Sequence, residues 1–497
     1  MGTLATQGTA AAGAAPAPKI TRRITQGRTR RATVLGLGRL SALALPATGV
    51  LAACNTTSSP GGGGASTLQF KEPVTLDYQH RWDGVREPLM QEAVDTFAKV
   101  QPNIKINNQM VITSAPGNAG GMPVEKIIAQ ISAGTPPDVV MLQSPITNVW
   151  AQQSLVQKLD DLAKRDKFVP EQVFYPSLAK LGQLKGSQYG LPIVTAGSWS
   201  YLFQNAESFQ AAGLDYKKTP QSWEELVTFS TRLTQKQGSG FSKIGFNLPY
   251  GGATNFIHWL PLNDGKLLSD DATKVAFDTP QGLETLEWML DSTNRVYGSR
   301  AALEAYLAEI GADGAAGVSR GIDAAQYQGK IGMWTQSVAF FYIIKTEATN
   351  FNAAFQYGAG LIPHNTKNPR AKQSVLDDTV WVYDIPQGSK KTDAAWEWIK
   401  YITAGEGNRR FNLTQFRPSP VVKYNDDPEF SKNNPHWDVV KKQLSLSQPL
   451  PQTPGWAKVN TSLTNMVRRV LSGQVSPKEA LAAAAQEGQL ALDEVRR

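Results

Sequence analysis

The sequence predicts an α/β protein made of two units, each a mainly parallel sheet flanked by helices. Three observations predict it. Strand-like and helical stretches alternate between residues 74 and 142, the alternation restarts near residue 190, and 497 residues suit two or three globular units.

Taken in order, Val74-Thr75-Leu76-Asp77-Tyr78 alternates as a half-buried strand does, and the loop His80-Arg81-Trp82-Asp83-Gly84 follows. Leu89, Ala93, Phe97 and Val100 then mark one face of a helix stopped at Pro102. Ile104-Lys105-Ile106 reads as a second strand, Pro123 to Ser132 as a helix ended by Gly134, and Pro137 to Leu142 as a third strand. Strand, helix, strand, helix, strand predicts a parallel sheet covered on both faces.

The restart brings strand-like runs at Gly190 to Val194 and Trp199 to Phe203. Ser222-Trp223-Glu224-Glu225 is a capping box opening a helix through Phe229 and Leu233. Thr279-Pro280 sets a cap and a first-turn proline before Leu283, Leu286 and Leu290. A later helix begins at Thr392, with Ala395, Trp398, Ile399 and Ile402 inward and Gly405 as its stop. Ser476-Pro477-Lys478-Glu479 is another capping box. Neither a solenoid-period repeat nor a long heptad run is present.

Composition narrows the function classes. Charged residues at 19% and hydrophobic ones at 41% exclude a disordered polyelectrolyte and a multi-span membrane protein. A single cysteine excludes a disulfide framework and a thiolate metal cluster. The net charge is +8, but residues 1–53 hold seven basic side chains and no acidic one, which leaves +1 for the rest. Basicity thus belongs to the leading segment, and nucleic acid is not an expected partner.

That segment reads as a cleaved export signal, 1–53, with a basic region before the apolar stretch Leu40 to Ala53. Fourteen residues with Pro46 and Gly49 among them are too short to span a bilayer as a helix. The stretch ends Leu51-Ala52-Ala53-Cys54, which resembles a bacterial lipobox and makes Cys54 the expected lipidation site; a small buried hydrophobe is the alternative. Arg30-Arg31 resembles a twin-arginine motif, although Thr33 stands where a hydrophobic residue is preferred and a Sec signal needs only positive charge. Residues 54–67 form a Gly/Ser-rich tether that would hold a soluble body off the membrane.

Enzyme signatures are scarce. His80, His258, His364 and His436 lie far apart, so a histidine metal site is not expected. The sequence contains no dinucleotide, P-loop or nucleophile-elbow motif, and neither a cofactor nor a metal is expected. Adjacent carboxylates at Asp377-Asp378 are a poor glycosidase pair, because neighbours on a strand point to opposite faces. Tryptophans near small or polar residues are the chemical signal instead: Trp82, Trp199, Trp259, Trp334 and Trp381. An indole offers a flat apolar plate to a sugar ring, while adjacent polar groups take its hydroxyls; the alternative for each is core packing. Core packing is the expectation for Trp150, Trp223, Trp288, Trp396 and Trp398, which sit on or beside amphipathic helices.

Six runs in order resemble the extracellular solute-binding proteins, family 1, of ABC sugar importers, the maltose-binding-protein-like lipoproteins. They are Ser132 to Val140 (SAGTPPDVV), Gly190-Leu191-Pro192, Gln204-Asn205 through Ala212-Gly213-Leu214, Thr219 to Leu226 (TPQSWEEL), Gly329 to Trp334 (GKIGMW) and Ala394 to Ile399 (AAWEWI). Gln204 departs from the family's usual tyrosine, and Ala324-Ala325-Gln326 stands where acidic residues are often seen. The resemblance implies a type II periplasmic-binding-protein fold, with an N-terminal lobe of 68–195 plus 361–412 and a C-terminal lobe of 196–360 plus 413–497. Crossings are expected near Thr195 to Trp199, Tyr357 to Pro363 and Gln415 to Pro420.

It further implies a monomeric, lipid-anchored extracytoplasmic receptor that captures a sugar or oligosaccharide and delivers it to an ABC permease, without catalysis. Binding of a glycerophosphodiester or peptide, or a secreted carbohydrate-active enzyme, are the alternatives. Expected ligand contacts are Arg81, Trp82, Gln143, Ser144, Trp199, Tyr201, Trp334, Gln336, Asp377, Trp381 and Arg417. The rings would stack on the sugar, and the charged and amide groups would bond its hydroxyls. A hinge salt bridge is the alternative for Arg417.

Overall fold

A computed structural model describes residues 68–112, 121–195, 200–247, 253–311, 324–348, 352, 354–377, 379–450 and 452–496. The expected export signal and tether, with Cys54, lie outside the described residues, as does Trp199. No helix among the described residues is long and apolar enough to cross a membrane.

Fourteen strands are present among them: β1 (Val74–His80), β2 (Ile104–Met110), β3 (Val139–Gln143), β4 (Gln183–Leu184), β5 (Ser187–Gln188), β6 (Gly190–Pro192), β7 (Tyr201–Asn205), β8 (Gln235–Gln237), β9 (Gly240–Phe246), β10 (Ile331–Gln336), β11 (Tyr357–Leu361), β12 (Val375–Asp377), β13 (Trp381–Asp384) and β14 (Ser447–Pro449). One five-stranded sheet has the order β2-β1-β3-β13-β6, the other β11-β7-β10-β9-β8. The first βαβαβ series is parallel as its connections require. Later strands make both sheets mixed. β13 runs antiparallel to β3 and β6, and β7 antiparallel to β10 and β11, while β9 and β10 are parallel.

Local chemistry explains the helix starts. Ser222 Oγ accepts the Glu225 N–H at 3.1 Å, Thr279 Oγ1 the Gly282 N–H at 3.2 Å, and Ser476 Oγ the Glu479 N–H at 3.3 Å. The helix Glu87–Val100 is rotated from its expected face: Met90, Ala93, Val94 and Phe97 are buried, while Val100 is exposed. Sheet packing is tight enough at Gly190 that a Cβ there would come within 2.8 Å of Asp384 Oδ1.

Two main cores form. Leu76, Tyr78, Val139, Leu191, Val382, Trp396 and Trp398 belong to the first, with Phe411 and Val421. Phe203, Phe246, Met333, Trp334, Phe430 and Leu463 belong to the second. Leu361, Ile362 and Leu376 also pack in the second, so the stretch expected to return to the first lobe at 361 stays with the C-terminal half. The cause is polar as well as apolar: Asn365 Nδ2 donates to Asn263 Oδ1 at 2.8 Å and to Glu284 Oε1 at 3.1 Å. By packing, Val194 belongs to the first core and Tyr201 to the second, Leu376 to the second and Val380 to the first, and Val421 to the first and Phe430 to the second.

Candidate functional site

A cavity of about 450 Å³ is walled by both halves of the molecule. Loops at the carboxyl ends of β1, β3 and β10 meet there, which is where open α/β sheets place ligands. From β1 come Arg81, Trp82, Asp83, Gly84 and Arg86; from the end of β3, Gln143. Trp381 opens the antiparallel β13 directly opposite Gln143, so the register brings both to the same rim. Val194, Thr195, Thr379, Val380 and Arg417 complete this wall. The C-terminal half contributes Gln336, Ser337, Ala339, Phe340 and Ile343.

The β1 loop is held by its own hydrogen bonds. His80 Nδ1 accepts the Trp82 N–H at 3.0 Å, and His80 Nε2 lies 2.9 Å from Asn108 Oδ1. Gly84 has φ +56°, a left-handed turn that a side chain would strain, and it leads into a single 3₁₀ turn ending at Arg86. Trp82 is only 1% exposed. Its indole N–H donates to the Tyr383 hydroxyl at 3.0 Å, and its ring packs against Phe411 at 5.0 Å. It backs the cavity and is not a free plate. Trp381 is half-buried and carries the Arg81 guanidinium 5.1 Å from its ring centroid. Arg86 lies similarly over Trp82 at 5.3 Å.

The lining is cationic. Among its described residues three guanidiniums, Arg81, Arg86 and Arg417, accompany one carboxylate, Asp83. Arg86 binds Asp83 closely, and Arg81 approaches it at 3.8 Å. Arg417 is 5% exposed; among the described residues its guanidinium makes one hydrogen bond, to the Thr195 carbonyl at 3.5 Å, and its buried Nε has no partner there. Burial pulls its pKa down to about 9, with repulsion from Arg86 adding to the effect and Tyr201 opposing it.

Six of the eleven expected contacts line the cavity: Arg81, Trp82, Gln143, Gln336, Trp381 and Arg417. Four described ones sit behind it. Ser144 is buried and its Oγ accepts the Val380 N–H at 3.2 Å, fixing the start of β13. Tyr201 is buried, donating to Gln443 Oε1 at 2.9 Å, and Trp334 stacks on Phe203 at 5.7 Å inside the second core. Asp377 is 1% exposed and borders a separate small void with Thr195, Gln443 and Ser447. Of the other indoles offered as plates, Trp259 is 3% exposed and also core. Sequence reasoning missed Arg86, although it shares the Arg81 loop, and Ser337, although it adjoins Gln336. Among the described residues no cluster of three or more His, Cys, Asp or Glu could hold a metal ion.

Two mixed α/β halves closing on one solute-sized hollow define the class of bilobal binding proteins. The chain belongs to the bacterial extracellular solute-binding protein family, whose family model matches residues 92–437. It is 22% identical over 458 residues to the sn-glycerol-3-phosphate-binding periplasmic protein UgpB of Escherichia coli, covering 87% of this chain and 96% of that one. Among solved structures it is similar in fold to an ABC substrate-binding protein of Listeria monocytogenes in complex with cycloalternan (TM-score 0.67, 19% identity, 85% of this chain and 100% of that one). It is similar also to an ABC transporter solute-binding protein of Thermotoga lettingae bound with α-D-tagatose (TM-score 0.65, 20% identity, 85% and 100%).

Proposed function

We propose that this chain is the solute receptor of an ABC importer, taking a hydroxyl-rich sugar or polyol between its halves and passing it unaltered to a membrane permease. The observation that carries the reading is the cavity of about 450 Å³ to which both halves contribute, a volume suited to a small solute. A ligand touching both walls stabilises the closed arrangement relative to the open one, by as much as its affinity for the two differs. Gln143, Gln336 and Ser337 offer amide and hydroxyl groups from opposite walls, and the half-buried Trp381 offers apolar surface.

The ligands in the names of the similar proteins, cycloalternan, α-D-tagatose and sn-glycerol-3-phosphate, share a polyhydroxylated skeleton. The cavity wall would do no chemistry; its role is capture. The N-terminal lobe of this reading comprises 68–195 with about 379–421, and the C-terminal lobe about 200–377 with the remainder. Lipid on Cys54 would hold the receptor near its permease, each buried methylene contributing about 0.8 kcal/mol. A thermal-shift screen of sugars and polyols tests the proposal: a bound solute raises the melting temperature, and the rise should vanish when Ser337→Trp fills the cavity. Solute turnover to a product would refute it.

A further inference from the structure

We infer that the solute carries an anion, a phosphate ester or carboxylate on its polyhydroxyl skeleton, and that Arg417 with Arg86 forms the subsite that seats it. This rests on the reading of the cleft as the solute site. A guanidinium removed from water without a counter-charge is costly, and folded proteins pair such groups or keep them at the surface. Among the described residues Arg417 has neither remedy: it is 5% exposed, its guanidinium makes one hydrogen bond, at 3.5 Å to the Thr195 carbonyl, and its buried Nε has no partner. The one carboxylate among the described lining residues, Asp83, is already engaged by Arg86 and approached by Arg81.

Burial and the Arg86 charge both work against the cationic form of Arg417, yet at about 9 its pKa still leaves it charged at neutral pH. An entering oxyanion would offset the repulsion between Arg417 and Arg86 and supply the acceptor missing at Nε. A guanidinium fork suits the planar geometry of carboxylate and the oxygens of phosphate. A neutral sugar would leave the charge uncompensated. The C-terminal wall bears no charged side chain among its described lining residues, so the anion belongs on the N-terminal side and the hydroxyls on the other.

The test is calorimetric titration of the full chain with two matched pairs, sn-glycerol-3-phosphate against glycerol and glucuronate against glucose, plus inorganic phosphate alone. At least one anionic probe should bind about 100-fold more tightly than its neutral partner. Arg417→Met should erase that preference without lowering the melting temperature, Arg417→Lys should restore part of it, and Arg86→Gln should weaken it. The two pairs distinguish phosphate from carboxylate. Inorganic phosphate binding as tightly as the ester would overturn the requirement for a polyhydroxyl skeleton. Glucose or glycerol binding as well as the anions, unaffected by Arg417→Met, would overturn the inference and leave the cleft reading intact. Binding of none of the five probes would count against both.

Discussion

The Nδ1 atom of His80 accepts the backbone N–H of Trp82 at 3.0 Å, so the imidazole proton resides on Nε2 and points to Asn108 Oδ1 at 2.9 Å. A neutral ring therefore anchors the loop that bears Arg81, Trp82 and Asp83. Burial lowers the His80 pKa to about 4 despite the opposing Asn108 bond, and His258 is lowered likewise. The unfolded chain, titrating near 6.5, binds a proton first. The His80 contribution is thus complete above pH 6.5 and is lost as pH falls toward 4, a change of up to about 3 kcal/mol. Melting curves between pH 7 and 4 should show this fall, and His80→Asn should flatten it. An unchanged slope in that variant would contradict the assignment.

Two tryptophans that look alike in sequence separate in the fold. Trp334 is 2% exposed and stacked on Phe203, whereas Trp381 is half-buried at the cavity rim. Trp334→Ala should cost about 3–5 kcal/mol of stability by opening a core cavity. Trp381→Ala should reduce solute affinity about tenfold or more with a smaller stability loss, by removing a desolvated aromatic surface. Denaturant unfolding and titration calorimetry on both variants decide the matter; reversed effects would place the binding surface elsewhere.

This contrast shows how far the sequence could be read. The βαβ alternation, the capping boxes and the helix at Thr392 are local patterns, and they emerge where expected because periodicity and caps act over a few residues. The antiparallel β13, by contrast, is set by pairing between residues over 200 positions apart in the chain, and no local pattern encodes it. For the site, adjacency to a strand end found Arg81, Gln143 and Gln336. Adjacency could not tell which face of β10 Trp334 would occupy, nor that Arg81 and Arg86 would lie over two of the indoles expected to meet sugar.

Among the described residues, Gln336 and Ser337 are the polar side chains that the C-terminal half brings to the cavity. If closure depends on contact with both walls, Gln336→Ala with Ser337→Ala should weaken binding about tenfold, the value of one or two net hydrogen bonds. The same variant should also reduce the ligand-induced compaction measured by small-angle X-ray scattering. Full compaction with weakened binding would mean that the N-terminal wall alone drives closure.

Far from the cleft, Lys400 is 2% exposed, bonded to Glu397 at 2.9 Å and in close contact with Asp166. Burial alone would raise the Asp166 pKa, but hydrogen bonds from Arg165, Lys400 and Trp396 outweigh it and hold the carboxyl well below its usual range. Its contribution is therefore present above pH 4 and lost only in stronger acid. Lys400→Met would leave the Glu397 carboxylate facing a buried methyl and Asp166 with Arg165 and Trp396 alone, at a cost of about 3–5 kcal/mol at pH 7. Urea unfolding at pH 7, set against the parent protein, measures that cost. Adding Glu397→Gln should recover part of the loss at pH 7, because one uncompensated charge is then gone; a double variant no more stable than Lys400→Met would mean that lost packing, and not charge, sets the cost.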